Sequence, residues 1–251
     1  IMLSDRPLAA QIGGEVFNLR FTPKKDTQIH LLRYGEDMGR RVYERTLQFL
    51  FILAMRKEFP RARVCVRYSL GPGLFITVDG MEEPFNEEAA LKVETEMRRL
   101  VRLKLPLERR RISIKEALSF YEQDGQADKA KLLKWRRFSY FDVYQIDGYM
   151  DYFYGEMAPD TSYADVFRVK YVHDGAVVLL MPRSDAPDVP SDYVDLPKLH
   201  AVFHQSDEWG KLMECATVND LNTHIQNGTI RELVRINEAL HDRGYADIAD
   251  K

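Results

Sequence analysis

His200 and His204 stand four positions apart, a spacing that on a helix places both imidazoles on one face and supplies half of a zinc site. A hydrolytic zinc helix would carry a glutamate right after its first histidine as general base; here that position is Ala201. His30, His173, His224 and His241 are isolated in sequence, so histidines on a helix surface are the plainer reading. Gly71-Pro72-Gly73 brings two glycines together, but a nucleotide-cradling loop also needs a following Gly-Lys-Ser/Thr. The tripeptide reads as a turn between strands. The aromatic run Phe138, Tyr140, Phe141, Tyr144, Tyr149, Tyr152, Phe153 and Tyr154 offers faces for base stacking, and equally the cross-strand pairs of a core. Arg109, Arg110 and Arg111, with Lys131, Lys134, Arg136 and Arg137, carry charge suited to a phosphate backbone, but Glu108 and Glu116 lie close by and favour a solvated face. Cys65 and Cys215 sit among apolar neighbours outside any CxxC and read as buried thiols in a reducing compartment. No Ser-His-Asp or Cys-His arrangement is marked. Together these residues predict a catalytically silent chain, with any enzymatic activity of the parent protein residing in sequence outside it.

The elements that would position such groups can be read from periodicity. The 251 residues are 45% hydrophobic and 30% charged, a balance that supports a sizeable core and excludes wholesale disorder. A formal net charge of −3 excludes a generally cationic nucleic-acid binder. No apolar run approaches the roughly 20 residues of a membrane span, and no signal peptide is visible, which suits a cytoplasmic protein. The chain opens on Ile1 and its first residues read as mid-domain, so truncation at the front is expected. Short strands at 8–12 and 16–19 flank Gly13-Gly14. From Asp37, Met38, Val42, Phe49, Leu50, Leu53 and Ala54 recur mostly at three- and four-residue steps, so a long helix is expected up to Pro60.

Strands at 63–69 and 74–78 follow. Asn86 is the expected cap of a second helix, with Glu87 and Glu88 in its first turn and Arg98, Arg99, Arg102 and Lys104 towards the stop at Pro106. Ser113 with Glu116, Thr217 with Asp220 and Thr229 with Glu232 have capping-box spacing, the last two for helices ending near Gly228 and Gly244. A hairpin is expected over 166–180, turning at His173-Asp174-Gly175, and the proline- and aspartate-rich stretch 182–197 reads as a loop. The fold class is α+β, with a mixed or antiparallel sheet backed by helices.

Three stretches carry a family resemblance. They are Gly39 to Leu50 running on to Glu58-Phe59-Pro60, then Tyr68 to Phe75 across Gly71-Pro72-Gly73, and Thr217 to Asp250 with Asp220-Leu221-Asn222 and Glu238-Ala239-Leu240-His241. Together they resemble the non-kinase N-terminal region of bacterial uridine kinase-like nucleoside kinases, of the phosphoribulokinase/uridine kinase family. Pro84 to Glu88 and Leu107 to Arg110 extend the resemblance. It implies a partial TGS-like β-grasp module over 1–35, a domain similar to the second additional (editing) domain of threonyl-tRNA synthetase over 36–199, and a helical tail over 200–251. A P-loop kinase domain using ATP and magnesium would follow Lys251 and be the main partner.

In the synthetase domain an HxxxH on the long helix and a later CxxxH form the site that hydrolyses mischarged tRNA. The resemblance carries those positions onto Arg45 and Phe49, counted back from Pro60, and onto Phe153 and Met157 within Asp151-Tyr152-Phe153-Tyr154-Gly155-Glu156-Met157. None of these side chains is a strong zinc ligand or a general base at neutral pH. The expectation is a degenerate cleft: either the apolar three fill it, or Arg45 makes it a seat for a small anionic or nucleoside-like ligand. No metal or cofactor is expected in this chain, tRNA is an unlikely partner, and a homo-oligomer is possible. The alternative is a stand-alone tRNA-binding or trans-editing module. A third option is a pure interaction scaffold.

Overall fold

A computed structural model describes residues 1–173 and 175–250, so the expected hairpin turn at Asp174 and the terminal Lys251 lie outside the described residues. The chain divides into two units, one of residues 1–110 and 142–195, the other of 111–141 and 196–251.

The first unit is built around a helix that is apolar on most of its circumference. Helix α1 (Asp37–Glu58) buries Val42, Tyr43, Leu47, Phe49, Leu50, Phe51, Leu53, Ala54 and Met55, so it is covered from several sides. Beside it lies a four-stranded antiparallel sheet, ordered β4-β5-β10-β9, of β4 (Arg63–Leu70), β5 (Gly73–Asp79), β10 (Ala176–Leu180) and β9 (Arg168–His173). Alternation decides which side chains reach the core. Leu74, Ile76 and Val78 of β5 lie on one face with Val177 and Leu179 of β10, and all five belong to the cluster that contains α1. Helix α2 (Glu87–Leu103) adds Ala89, Ala90, Val93, Met97 and Leu100 to that cluster. Its cap is as expected, the Asn86 side chain accepting from the Ala89 N–H at 3.0 Å.

A three-stranded sheet of order β2-β1-β3, made by β1 (Ala9–Ile12), β2 (Glu15–Phe17) and β3 (His30–Leu32), opens the unit. Leu3, Leu8, Ala9, Leu32 and Tyr34 join the same core as α1. A second three-stranded sheet, ordered β6-β7-β8, consists of β6 (Glu108–Ser113), β7 (Tyr140–Ile146) and β8 (Tyr149–Asp151). The chain leaves the unit after Arg110 and re-enters at Asp142. The stretch read as a loop after Pro182 instead contains a small hairpin, β11 (Pro182–Arg183) with β12 (Ala186–Pro190). Proline is tolerated there because the two strands stand as a separate pair, so a missing N–H breaks no longer ladder.

The second unit is helical apart from the strand ends it receives: α3 (Ile114–Gln123), α4 (Ala127–Leu133), α5 (Pro197–Leu212), α6 (Val218–Asn227) and α7 (Ile230–Ala249). Trp135 Nε1 donates to Asn219 Oδ1 at 2.9 Å, tying the end of α4 to α6. Thr217 and Asp220 form the expected capping box, and Gly228 closes α6 at φ +75°. The next expectation fails. Thr229 makes no side-chain cap, its Oγ1 standing 2.8 Å from His224 Nδ1, and α7 runs through Gly244 to Ala249. The cysteine reading also fails, because Cys65 is exposed on the sheet-edge strand β4 and Cys215 is only half-buried. The residues flanking Cys65 face the other side of the strand.

Candidate functional site

Four residues, two of them separated from the others by about a hundred positions, are brought to one place by α1 and by the segment after β8. Arg45 and Phe49 lie one turn apart on α1, hence on one side of it. Phe49 is fully buried and its ring stands 5.2 Å from that of Phe153, with Tyr149 5.8 Å away. Met157 is fully buried in the same cluster. The backbone stitches the segment to the helix: the Ala158 N–H donates to Thr46 Oγ1 at 3.0 Å, and Asn18 Nδ2 donates to the Met157 carbonyl at 2.9 Å. Phe49, Phe153 and Met157 thus occupy space rather than line it.

Arg45 is the polar member. Its Nη1 donates to the Glu156 carbonyl at 3.1 Å, and its guanidinium lies against Gly155, where a Cβ would stand 2.7 Å from Arg45 Cζ. Gly155 has φ +103°, a conformation that a side-chain-bearing residue adopts only at a cost. Partial burial lowers the proton affinity of the Arg45 guanidinium, partly offset by Glu44, while the like charge of Arg41 lowers it further. Arginine nevertheless stays charged and has no lone pair to accept a proton.

The polar groups around this centre hold one another. Glu156 receives Tyr144 OH on Oε2 at 2.9 Å and ion-pairs through Oε1 with Arg109, whose Nη2 reaches Asp142 at 2.8 Å. Tyr144 OH in turn accepts from the Met157 N–H at 3.2 Å. Burial, followed by the neighbouring Glu156 carboxylate, pushes the Tyr144 phenol well above its ordinary value, so it remains a donor. Sequence reading missed Tyr144, Glu156 and Arg109 as a group, because Arg109 on β6 and Tyr144 on β7 both meet Glu156 of the segment after β8, a convergence that spacing does not show. Among the described residues no three His, Cys, Asp or Glu side chains are grouped as a metal would require. No helix among them is long and apolar enough to cross a membrane.

Other candidates are absorbed by packing. Arg110 donates to Gln145 at 2.7 Å, and Arg111 lies 4.4 Å over the Tyr140 ring. Arg136 lies 5.0 Å over Phe141. Arg98 is paired with Glu94 and stacked on Phe167, and Arg99 with Glu96. Of the aromatic run, Phe141 and Tyr144 are core, whereas Phe138 and Tyr154 are exposed. The Gly71-Pro72-Gly73 turn borders a separate cleft of about 440 Å³ that also involves Tyr34, Arg40, Glu44 and Arg183. None of Arg45, Phe49, Phe153 and Met157 lines it.

No protein-family model matches the chain. It is 27% identical over 175 residues to the threonine–tRNA ligase of Carboxydothermus hydrogenoformans, covering 66% of this chain and 26% of that protein. Identity to the threonine–tRNA ligase of Acetivibrio thermocellus is 28% over 127 residues, 51% of this chain and 20% of the ligase. For that of Clostridium kluyveri it is 24% over 170 residues, 67% and 26%. These findings overturn the uridine kinase resemblance, and with it the kinase domain expected as partner and the expectation that tRNA is an unlikely one. They agree with the α+β architecture similar to the synthetase editing domain, with its long helix and antiparallel sheets. The chain spans about a quarter of the length of the threonine–tRNA ligases it matches.

Proposed function

We propose that this chain is a tRNA-engaging module of the threonyl-tRNA synthetase editing type that binds without hydrolysing, and that it acts in the cytoplasm. The similarity to threonine–tRNA ligases over 51–67% of this chain supports the tRNA part of the reading. The observation that carries the second part is the altered cleft. Ester hydrolysis needs an activated water, and hence a metal or a general base close to the ester. At the four positions where the resemblance would put imidazoles and a thiol stand a guanidinium, two phenyl rings and a thioether, and Glu156 is already engaged by Arg109 and Tyr144. Such a module works without metal or cofactor.

The test is incubation of the full chain with threonyl- and seryl-tRNA, following ester loss by acid-gel electrophoresis, beside a gel shift. The reading expects a retarded complex and ester loss at the spontaneous rate. Turnover above that rate, with or without chelator, would refute the non-hydrolytic assignment. Absence of any complex at low salt would refute the tRNA assignment.

A further inference from the structure

The cleft bordered by the Gly71-Pro72-Gly73 turn has the size and the fixed walls of a ligand site. Its volume of about 440 Å³ falls within the roughly 300–1,000 Å³ of small-molecule pockets. Three parts of the first unit enclose it: the first turns of α1, the turn between β4 and β5, and the β11–β12 hairpin with Met181 before it. Hydrogen bonds hold these walls in place. The Met181 N–H donates to the Pro72 carbonyl at 3.1 Å, and the Tyr34 hydroxyl donates to the Pro182 carbonyl at 2.7 Å.

Two opposite charges face this space without meeting each other. Arg40 and Glu44 both line the cleft and stand one turn apart on the same side of α1. Arg40 ion-pairs through Nη2 with Asp37, towards the start of the helix, whereas Glu44 Oε1 accepts from Gln48 Nε2 at 3.2 Å, one turn further on. The two side chains are thus held in opposite directions along α1. Nε and Nη1 of Arg40, and Oε2 of Glu44, make no hydrogen bond or ion pair with any described residue. Glu44 is half-buried, and burial raises its proton affinity although Arg45, Arg41 and Arg40 oppose the shift. A partly desolvated carboxylate with no ion pair is stabilised by a cation brought to it. On the hairpin wall, Arg183 is already satisfied by Asp185, in two bonds of 2.9 and 2.8 Å.

The ligand that complements such a cleft carries both signs. An amine alone would meet the Arg40 cation, and an anion alone would meet Glu44. A zwitterion with its ammonium and carboxylate on one carbon answers both, across side chains whose Cβ atoms are roughly 5–6 Å apart at this helical spacing. We propose that this cleft binds a free α-amino acid, its ammonium group on Glu44 and its carboxylate on Arg40. The site is separate from the altered cleft of Phe49, Phe153 and Met157 and does not depend on the tRNA reading.

The experiment screens the full chain against the protein amino acids one at a time by thermal shift, then takes the strongest stabiliser to isothermal calorimetry. At least one is expected to raise the melting midpoint saturably. Its methyl ester lacks the carboxylate and its N-acetyl derivative lacks the ammonium, so each should bind about fivefold more weakly or worse. Glu44→Gln and Arg40→Met should each weaken the free amino acid by about fivefold or more, with circular dichroism checking that both variants are folded. The proposal is overturned if no amino acid at about 10 mM shifts the midpoint. It is equally overturned if either variant, or either derivative, loses less than about fivefold in affinity.

Discussion

Gly155 and Arg45 set each other's conformation. At φ +103° a Cβ is strained whatever the surrounding space, and here it would also meet the guanidinium. Gly155→Ala is therefore expected to lower stability by about 1–3 kcal/mol, read from the denaturant midpoint. If instead the midpoint holds or rises, the backbone there is relaxed and the account of the guanidinium bed is wrong. Glu44, next to Arg45 but bordering the other cleft, gives a pH signature. Burial raises its proton affinity above the ordinary glutamate value, so the ionised folded form is disfavoured relative to the unfolded chain. That penalty is absent below the unfolded value and fully present above the folded one. Glu44→Gln should consequently raise the thermal midpoint at neutral pH and have little effect near pH 4, the usual carboxylate range. A gain that is equal at both pH values would contradict the assignment.

Helix α1 positions the candidate site, and its start is determined by a close approach. A Cβ built on Gly39 would stand 2.0 Å from the Arg33 carbonyl oxygen, in the backbone just before the helix. In a free helix Gly→Ala stabilises by about 0.5–1 kcal/mol. Here the clash is with backbone and should exceed that gain, so Gly39→Ala is expected to destabilise; an elevated melting temperature in that variant would show that the approach is looser. Elements of this kind were legible where one residue's chemistry decides the local structure. Asn86 caps α2 and the Thr217–Asp220 box starts α6 because short polar side chains satisfy orphan N–H groups without tertiary help. Thr229 and Gly244 misled for two separate reasons. The Thr229 hydroxyl is taken by His224, and α7 tolerates an interior glycine at modest cost. The resemblance to the synthetase domain named Phe49 and Phe153, whose rings stand 5.2 Å apart, whereas the Arg109–Glu156–Tyr144 network joins two strands to the segment after β8 and has no signal in local spacing. The exposure of Cys65 was hidden for a similar reason: apolar neighbours in sequence say little about a residue at a sheet edge.

At the scale of the molecule, a net charge of −3 means that any hold on tRNA must come from local cations and stacking, not from a general positive field. Many arginines are committed internally, as Arg98, Arg99, Arg109 and Arg183 show in their carboxylate pairs. Few phosphates should therefore be neutralised per complex. The most direct measurement is an anisotropy titration of labelled tRNA with the full chain over a series of salt concentrations. The account predicts saturable binding whose logarithmic affinity falls with the logarithm of salt on a shallow slope, of about two to four phosphate contacts. No binding even at the lowest salt would contradict it.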